Sequence, residues 1–333
     1  MPEAATPDLT IWAVSDGRIG IEAQVLGLAE AVARRRPATI EVKRVAWRGW
    51  LGWTPLALLP LPELTLRSDS VIAPPWPDIW IGAGRATLPW STALRRRSAG
   101  HTFIVQTQDP RGAPRNAFDL IVPPLHDQLT GRNVLPILGS PTRMSSAGFA
   151  RDLARFAVRT DPLPHPRVAM IVGGASGSHD LPPARARAMA AQVAAAIRAA
   201  GGSLLLSFTR RTPRAARAIL AEALADLPGW IWDDQGDNPY RAFLAAADNI
   251  LITEDSVNLA VDAASTGKPV QVLAMAGGGR KFDRFHADLR RRGVARPFTG
   301  ALETWGYPPL DETSRAADEL LRRFDARISA ATE

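Results

Sequence analysis

Cysteine is absent from the 333 residues. That absence excludes disulfides, Cys-ligated zinc, iron–sulfur clusters and a cysteine nucleophile, and it fits a reducing compartment. Histidine is scarce, with five in the chain. None stands at an HExxH-like or paired spacing, so no metal site is expected. No apolar run reaches the length of about 18 residues that a membrane-spanning helix needs. The nearest stretch, Leu51 to Leu66, is interrupted by Pro55, Pro60 and Pro62. Met1 to Asp8 is acidic and rich in Pro and Ala, without a basic or apolar leader region, so no signal peptide is expected. The G-x-G-x-x-G fingerprint, a Walker ending, a G-x-S-x-G elbow and a DxD-type metal–diphosphate element are all missing, as are the signatures of RNA- and DNA-binding modules.

What is present suits a soluble globular chain: 46% hydrophobic and 22% charged residues. At roughly 150 residues per domain the length predicts two domains. Forty Lys and Arg against 33 Asp and Glu leave a net charge of +7 and a pI near 10.7. Such an excess favours an anionic partner, whether a nucleotide, a nucleic acid or an acidic membrane face, although an Arg-rich composition alone gives the same number.

Strand and helix patterns alternate along the chain. Leu9–Val14, Ile40–Val45, Asp78–Gly82, Thr102–Gln106 and Leu120–Val122 read as strands, with helices at Ile21–Arg35 and Leu88–Arg97. The prolines of Asp161–Pro166 read as a linker. The pattern then restarts with strands at Arg167–Val172, Ser203–Phe208, Trp230–Trp232, Asn249–Thr253 and Pro269–Leu273. Helices are expected at Pro183–Ala200, Thr212–Leu224, Pro239–Ala247, Ser256–Ser265 and Thr313–Ile328. Alternation of this kind implies mainly parallel sheets covered on both faces. The expected fold is therefore α/β with two Rossmann-like domains, and ligands are expected beyond the carboxyl ends of their strands.

Four loops of that kind carry chemistry. Ser15-Asp16-Gly17-Arg18-Ile19-Gly20 follows the first strand, where Asp16 is either a base or a helix cap. Gly173-Gly174-Ala175-Ser176-Gly177-Ser178 is a phosphate cradle or a flexible connection. Thr209-Arg210-Arg211-Thr212-Pro213 offers guanidinium forks and a hydroxyl to a diphosphate, or is a solvated basic face with a Thr-Pro helix start. Thr253-Glu254-Asp255-Ser256 recognises sugar hydroxyls or caps a helix, and Asn258 and Asp262 follow on one face of that helix. His126-Asp127 is a lesser candidate for catalysis, and Asp233-Asp234 lacks supporting residues. The run Trp47-Arg48-Gly49-Trp50-Leu51-Gly52-Trp53, continued by Pro55 to Leu59, suits either a membrane interface or a Trp-rich core loop between domains.

From Ser15 to about Phe298 the chain resembles the bacterial homologues of the plant mitochondrial-fission Elm-type family, which is similar to GT-B glycosyltransferases. The resemblance rests on SDGRIGIEAQVLGLAEAV, WPDIWIGAGR, FDLIVPPLHDQLTGRNVLPILGSPTR, TRRTP, NPYRAFLAAAD and TEDSVNLAVDAASTGKPV. It implies an acceptor-side domain over 1–160, a nucleotide-sugar domain over 161–300 facing it across a cleft, and a segment over 301–333 whose helix returns to the first domain. It also implies the site residues. Gly173, Gly174, Ser176, Thr209, Arg210, Arg211, Thr212, Asn238, Glu254, Asp255, Ser256, Asn258 and Asp262 would hold a nucleotide-diphosphate sugar. Gly17, Arg18, Gly84, Arg85, Gln108 and His126 would line the acceptor side, with Asp16 as the base.

Two positions depart from the pattern. Asp262 stands where a related family has a ribose-binding Glu, five residues before a Gly. Ile21 stands where many members have a His. The implied function is glycosyl transfer without metal or other cofactor, to an acceptor hydroxyl on a lipid-linked or envelope glycan. The expected location is cytoplasmic, peripheral on an anionic inner-membrane face. Nucleic acid is not the expected partner. The alternative is an interaction protein that keeps the fold without the reaction.

Overall fold

A computed structural model describes residues 8–59 and 61–332. The expectations for Met1 to Pro7 and for Pro60 concern residues outside this range. The chain divides into two compact units. One contains the residues up to Arg143 together with those from Asp311 onward; the other is Met144–Leu310.

The first unit contains β1 (Leu9–Ser15), α1 (Ile19–Ala33), β2 (Ala38–Trp47), α2 (Pro62–Thr65), β3 (Leu66–Ser68), β4 (Ile79–Gly82), α3 (Leu88–Arg97), β5 (Phe103–Gln106) and β6 (Leu120–Ile121). Its six-stranded sheet runs β3-β2-β1-β4-β5-β6 and is parallel except for the antiparallel edge strand β3. Successive strand residues point to opposite faces, and both faces are buried. Ile11, Ala13, Ile79 and Ile81 join α1 on one face. Trp12, Val14, Trp80 and Ile104 join Leu94 of α3 on the other.

The second unit contains α4 (Ser146–Thr160), β7 (Arg167–Val172), β8 (His179–Asp180), α5 (Pro183–Ala200), β9 (Ser203–Phe208), α6 (Arg214–Ala223), β10 (Gly229–Ile231), α7 (Tyr240–Ala246), β11 (Asn249–Thr253), α8 (Val257–Ala264), β12 (Val270–Leu273), β13 (Ala276–Gly277), α9 (Arg280–Arg291) and β14 (Ala295–Pro297). Its main sheet is parallel throughout, in the order β10-β9-β7-β11-β12-β14, with a small β13-β8 ribbon beside it. Val168, Met170, Leu204 and Leu206 pack against Val193, Ile197 and Leu220 of α5 and α6. The last helix, α10 (Glu312–Thr332), belongs to the first unit. Ala316, Ala317, Leu320 and Phe324 enter the core that holds α1, and the Phe324 ring meets Phe103 edge-on at 5.8 Å.

The Pro-rich segment Asp161–Pro166 joins α4 to β7 inside the second unit, and the chain passes between units at Arg143/Met144 and Leu310/Asp311. Helix α4 packs on α7 of the second unit, where the Phe156 ring lies tilted against Trp230 and Trp230 meets Phe243 edge-on. Among the described residues no helix is long and apolar enough to cross a membrane.

Candidate functional site

Each sheet reverses its strand order once, between β1 and β4 in the first unit and between β7 and β11 in the second. A crevice opens beyond the carboxyl ends of strands at such a point, and ligands of open α/β sheets bind there. Asp16 and Gly84 sit at the first reversal; Gly173 and Asp255 sit at the second.

At the second reversal the polar groups are knitted to one another. The Asp255 side chain has 0% exposure. Its Oδ2 accepts from Arg211 Nη2 at 2.6 Å and from the Gly174 amide at 3.1 Å. Its Oδ1 accepts from Thr253 Oγ1 at 2.7 Å, and the same Thr253 oxygen accepts from the Gly173 amide at 2.7 Å. A Cβ at residue 173 would lie 2.1 Å from Asp255 Oδ1, and one at residue 174 would lie 2.0 Å from the Arg211 carbonyl oxygen. Internal close approach therefore demands both glycines, whatever they bind. Thr212 is also inward. Its single hydroxyl proton is shared between the Gly173 and Val172 carbonyls, at 2.6 and 2.9 Å, and its oxygen accepts from the Thr209 amide at 3.1 Å.

Several other loop amides are spent in the same way. Ala175 donates to the Arg211 carbonyl and Ser176 to the His179 carbonyl. Ser178 and His179 donate to Ser176 Oγ. Ser256 caps α8, accepting from the Leu259 amide. Among the donors at these strand ends without a partner among the described residues are the exposed Arg210 guanidinium and the amides of Gly177, Arg210, Arg211, Asp255, Ser256 and Val257.

Beside this cluster a cavity of about 200 Å³ is lined by residues that include His179, Glu254, Phe282, His286, Arg290 and Arg296. His286 is buried, and its Nε2 lies 2.9 Å from the Glu254 carbonyl oxygen. Since a carbonyl only accepts, Nε2 carries the proton and Nδ1 holds a lone pair. Nδ1 has no hydrogen-bond partner. Burial lowers the His286 pKa below its ordinary 6.5, against the opposing pull of Glu254, so the ring is neutral at pH 7. Glu254 Oε1 accepts from the Met275 amide at 2.5 Å. The His179 ring meets Phe282 edge-on at 4.7 Å. Gly277 has φ +97°, and a Cβ there would lie 2.2 Å from the Ser178 carbonyl oxygen, so the β13–β8 ribbon closes only around glycine.

Asp262 faces α7, accepting from the Tyr240 hydroxyl at 2.9 Å. Burial, then the adjacent carboxylate, raises the pKa of that hydroxyl. Asn238 Oδ1 accepts from the Tyr240 amide at 2.9 Å, at the start of α7.

In the first unit, Asp16 is no helix cap: the cap position of α1 is Arg18, without a side-chain cap bond. Asp16 instead accepts from the Arg18 amide at 3.2 Å and pairs with its guanidinium at 2.6 Å. Gly17 has φ +78°. Gly84 has φ +84°, and a Cβ there would lie 3.3 Å from Asp16 Oδ2 and 3.5 Å from the Ile21 side chain. Arg85 reaches the carbonyls of Gly52 and Thr54 and lies 5.0 Å over the Trp47 ring. Gln108 Nε2 donates to Gln24 of α1 at 3.0 Å. His126 is buried, with Nε2 3.8 Å from Asp127 Oδ1. The structure thus brings Asp16, Gly17, Arg18 and Gly84 together, while Arg85, Gln108 and His126 make contacts elsewhere. Among the described residues no group of His, Cys, Asp and Glu is arranged to hold a metal ion.

Sequence reading missed His179, Phe282 and His286. The signal was present in α9, where Phe282, Phe285, His286 and Leu289 recur at helical spacing. It is hidden by the charges around it.

Two α/β units, one with a fully parallel sheet and one parallel but for its edge strand, each with its polar loops at a strand-order reversal, define the GT-B class of fold. Within that class the chain belongs to the mitochondrial fission ELM1 family, whose profile matches residues 19–324. It is 30% identical over 278 residues to the mitochondrial fission protein ELM1 of Arabidopsis thaliana, a match that covers 75% of this chain and 65% of the plant protein. It is 24% identical over 352 residues to an uncharacterised protein of Rickettsia prowazekii, covering 93% of this chain and 97% of that one. Among solved structures it is similar to the UDP-GlcNAc 2-epimerase of Methanocaldococcus jannaschii, with a TM-score of 0.56 and 10% identity over 94% of this chain and 100% of that one. This last likeness shows the fold alone.

Proposed function

We propose that this protein transfers a glycosyl group from a nucleotide-diphosphate sugar held by the second unit. One observation carries the reading. In a cluster whose buried side chains are bonded to one another, the Arg210 guanidinium and several loop amides, those of Gly177 and Val257 among them, are left open beyond the ends of β9, β7 and β11. A guanidinium, loop amides and an amide at a helix start are the donors a diphosphate takes up. The fold neighbour's name, UDP-GlcNAc 2-epimerase, supports the same ligand class. The cavity beside the cluster suits the sugar, because the Glu254 carboxylate in its lining accepts hydrogen bonds from hydroxyls.

In the reaction the bond from the sugar's anomeric carbon to the diphosphate breaks, and the acceptor oxygen bonds to that carbon. The leaving diphosphate gains charge, which Arg210 and the amides stabilise without a divalent ion. Asp16 of the first unit is the base proposed for the acceptor hydroxyl, free to act once its Arg18 partner gives way. The acceptor belongs to the lipid-linked or envelope glycans. Arg210→Ala is expected to weaken nucleoside diphosphate binding at least about tenfold, the scale of one charge-assisted contact, with the melting temperature unchanged. Equal affinity in calorimetry would overturn the assignment.

The second reading is a binding protein that keeps the fold and not the reaction. The Asp16–Arg18 ion pair, with Ile21 beside it, favours this reading, as does the fission role in the plant relative's name. It predicts no product from any donor, and Asp16→Asn would then change nothing.

A further inference from the structure

The Trp-rich segment of the first unit is anchored from below and bare above. Trp47 and Leu56 pack onto the core, and Pro62 and Thr65 are buried. Arg48 ties down the far end, its amide to the Thr65 carbonyl and its Nε to the Leu66 carbonyl at 2.8 Å. Arg85 holds the middle through the Gly52 and Thr54 carbonyls. Between these anchors Trp50 is 74% exposed, Trp53 91%, Leu58 73%, and Leu61 and Leu64 62% each. A mainly apolar cavity of about 300 Å³ adjoins them, lined by residues that include Leu56, Ala57, Leu88 and Pro89.

Five large apolar side chains held out by an ordered segment are not incidental exposure. Their setting is cationic. Arg48 and Arg67 are exposed and make no ion pair among the described residues. The one acid between Trp47 and Arg67 is Glu63, and it is neutralised by Arg97. Tryptophan and leucine with arginine beside them match the interface of an anionic bilayer, where indoles sit at headgroup depth and guanidiniums meet lipid phosphates. Protein hot spots, by contrast, are poor in leucine.

We propose that residues 47–59 and 61–67 form a membrane-docking platform, with Trp50, Trp53 and Leu58 entering the headgroup region of an anionic bilayer and Arg48 and Arg67 contacting lipid phosphate. This inference is independent of the glycosyl-transfer reading, since it uses none of the residues that reading rests on.

The test is co-sedimentation of the full chain with phosphatidylcholine vesicles, with and without phosphatidylglycerol, at low and high salt. The wild type is expected to bind the anionic vesicles and to lose much of that binding at high salt. Trp50→Ser, Trp53→Ser and Leu58→Ser combined should lower the partition coefficient at least about tenfold without shifting the melting temperature. Arg67→Gln, at a side chain that anchors nothing in the segment, should weaken binding to anionic vesicles alone. Should the triple variant fail to fold, brominated lipid is expected to quench part of the wild-type tryptophan emission. Absence of vesicle binding, unchanged binding by the triple variant, or emission untouched by brominated lipid would each overturn the platform. A wild-type dimer turned monomeric by the triple variant, with vesicle binding intact, would overturn it in favour of a protein interface.

Discussion

Arg210 and Arg211 are adjacent in sequence and opposite in duty. Arg211, itself 42% exposed, donates to a carboxylate that has no exposure and that keeps the Gly174 amide and the Thr253 hydroxyl as donors. Arg211→Ala is expected to cost about 1–3 kcal/mol, the scale of one hydrogen bond to a charged group, read by denaturant titration. Unchanged stability would contradict the role given to Asp255. Arg210→Ala, on an exposed side chain, should leave stability within about 0.5 kcal/mol of the wild type. His286 yields a second prediction at this scale. Burial holds its folded pKa below 6.5, with Arg290 and His179 adding to the shift and Glu254 opposing it. The unfolded ring therefore binds its proton first, and stability falls as pH drops below about 6.5 until the folded ring is also protonated. His286→Gln should remove that component, so the difference in melting temperature between wild type and variant should shrink toward acid pH. A pH-independent difference would count against a buried neutral imidazole.

The helix α10 shows at the scale of elements how the first unit is completed by residues distant in sequence. Phe324 is buried against Phe103, and Arg36 of the first unit pairs with Asp325 at 2.7 Å. Phe324→Ala is expected to cost about 3–5 kcal/mol. A loss below about 1 kcal/mol would mean that the helix is only loosely docked. Elements with a continuous apolar run, such as β1, β7 and β11, were legible from sequence because strands buried on both faces need one. Helix α9 was not, since Phe285, His286 and Leu289 are its only buried residues among many charges. The loops at Gly173 and Asp255 were legible as candidate site residues, but their internal bonding was not. Arg211 and Asp255 lie 44 residues apart and meet only because β9 and β11 flank β7. Motif spacing reports residue types at strand ends, not which partner each one takes.

For the whole molecule, the +7 charge acquires a location as well as a sign. Many of the arginines are spent in ion pairs with acids on neighbouring elements, as at Arg44–Glu22, Arg143–Glu30 and Arg296–Glu303. Arg48, Arg67 and Arg210 are among those left open, near the exposed tryptophans and at the strand ends. Bound anions should therefore be sensitive to salt, and binding of both nucleotide and vesicles should weaken as ionic strength rises. The measurement that tests the central claim most directly is isothermal titration of the wild-type chain with nucleoside diphosphates and their sugar conjugates, in the presence of EDTA. The account predicts saturable binding of one nucleotide class that survives the chelator. Heats indistinguishable from dilution for every nucleotide would contradict it.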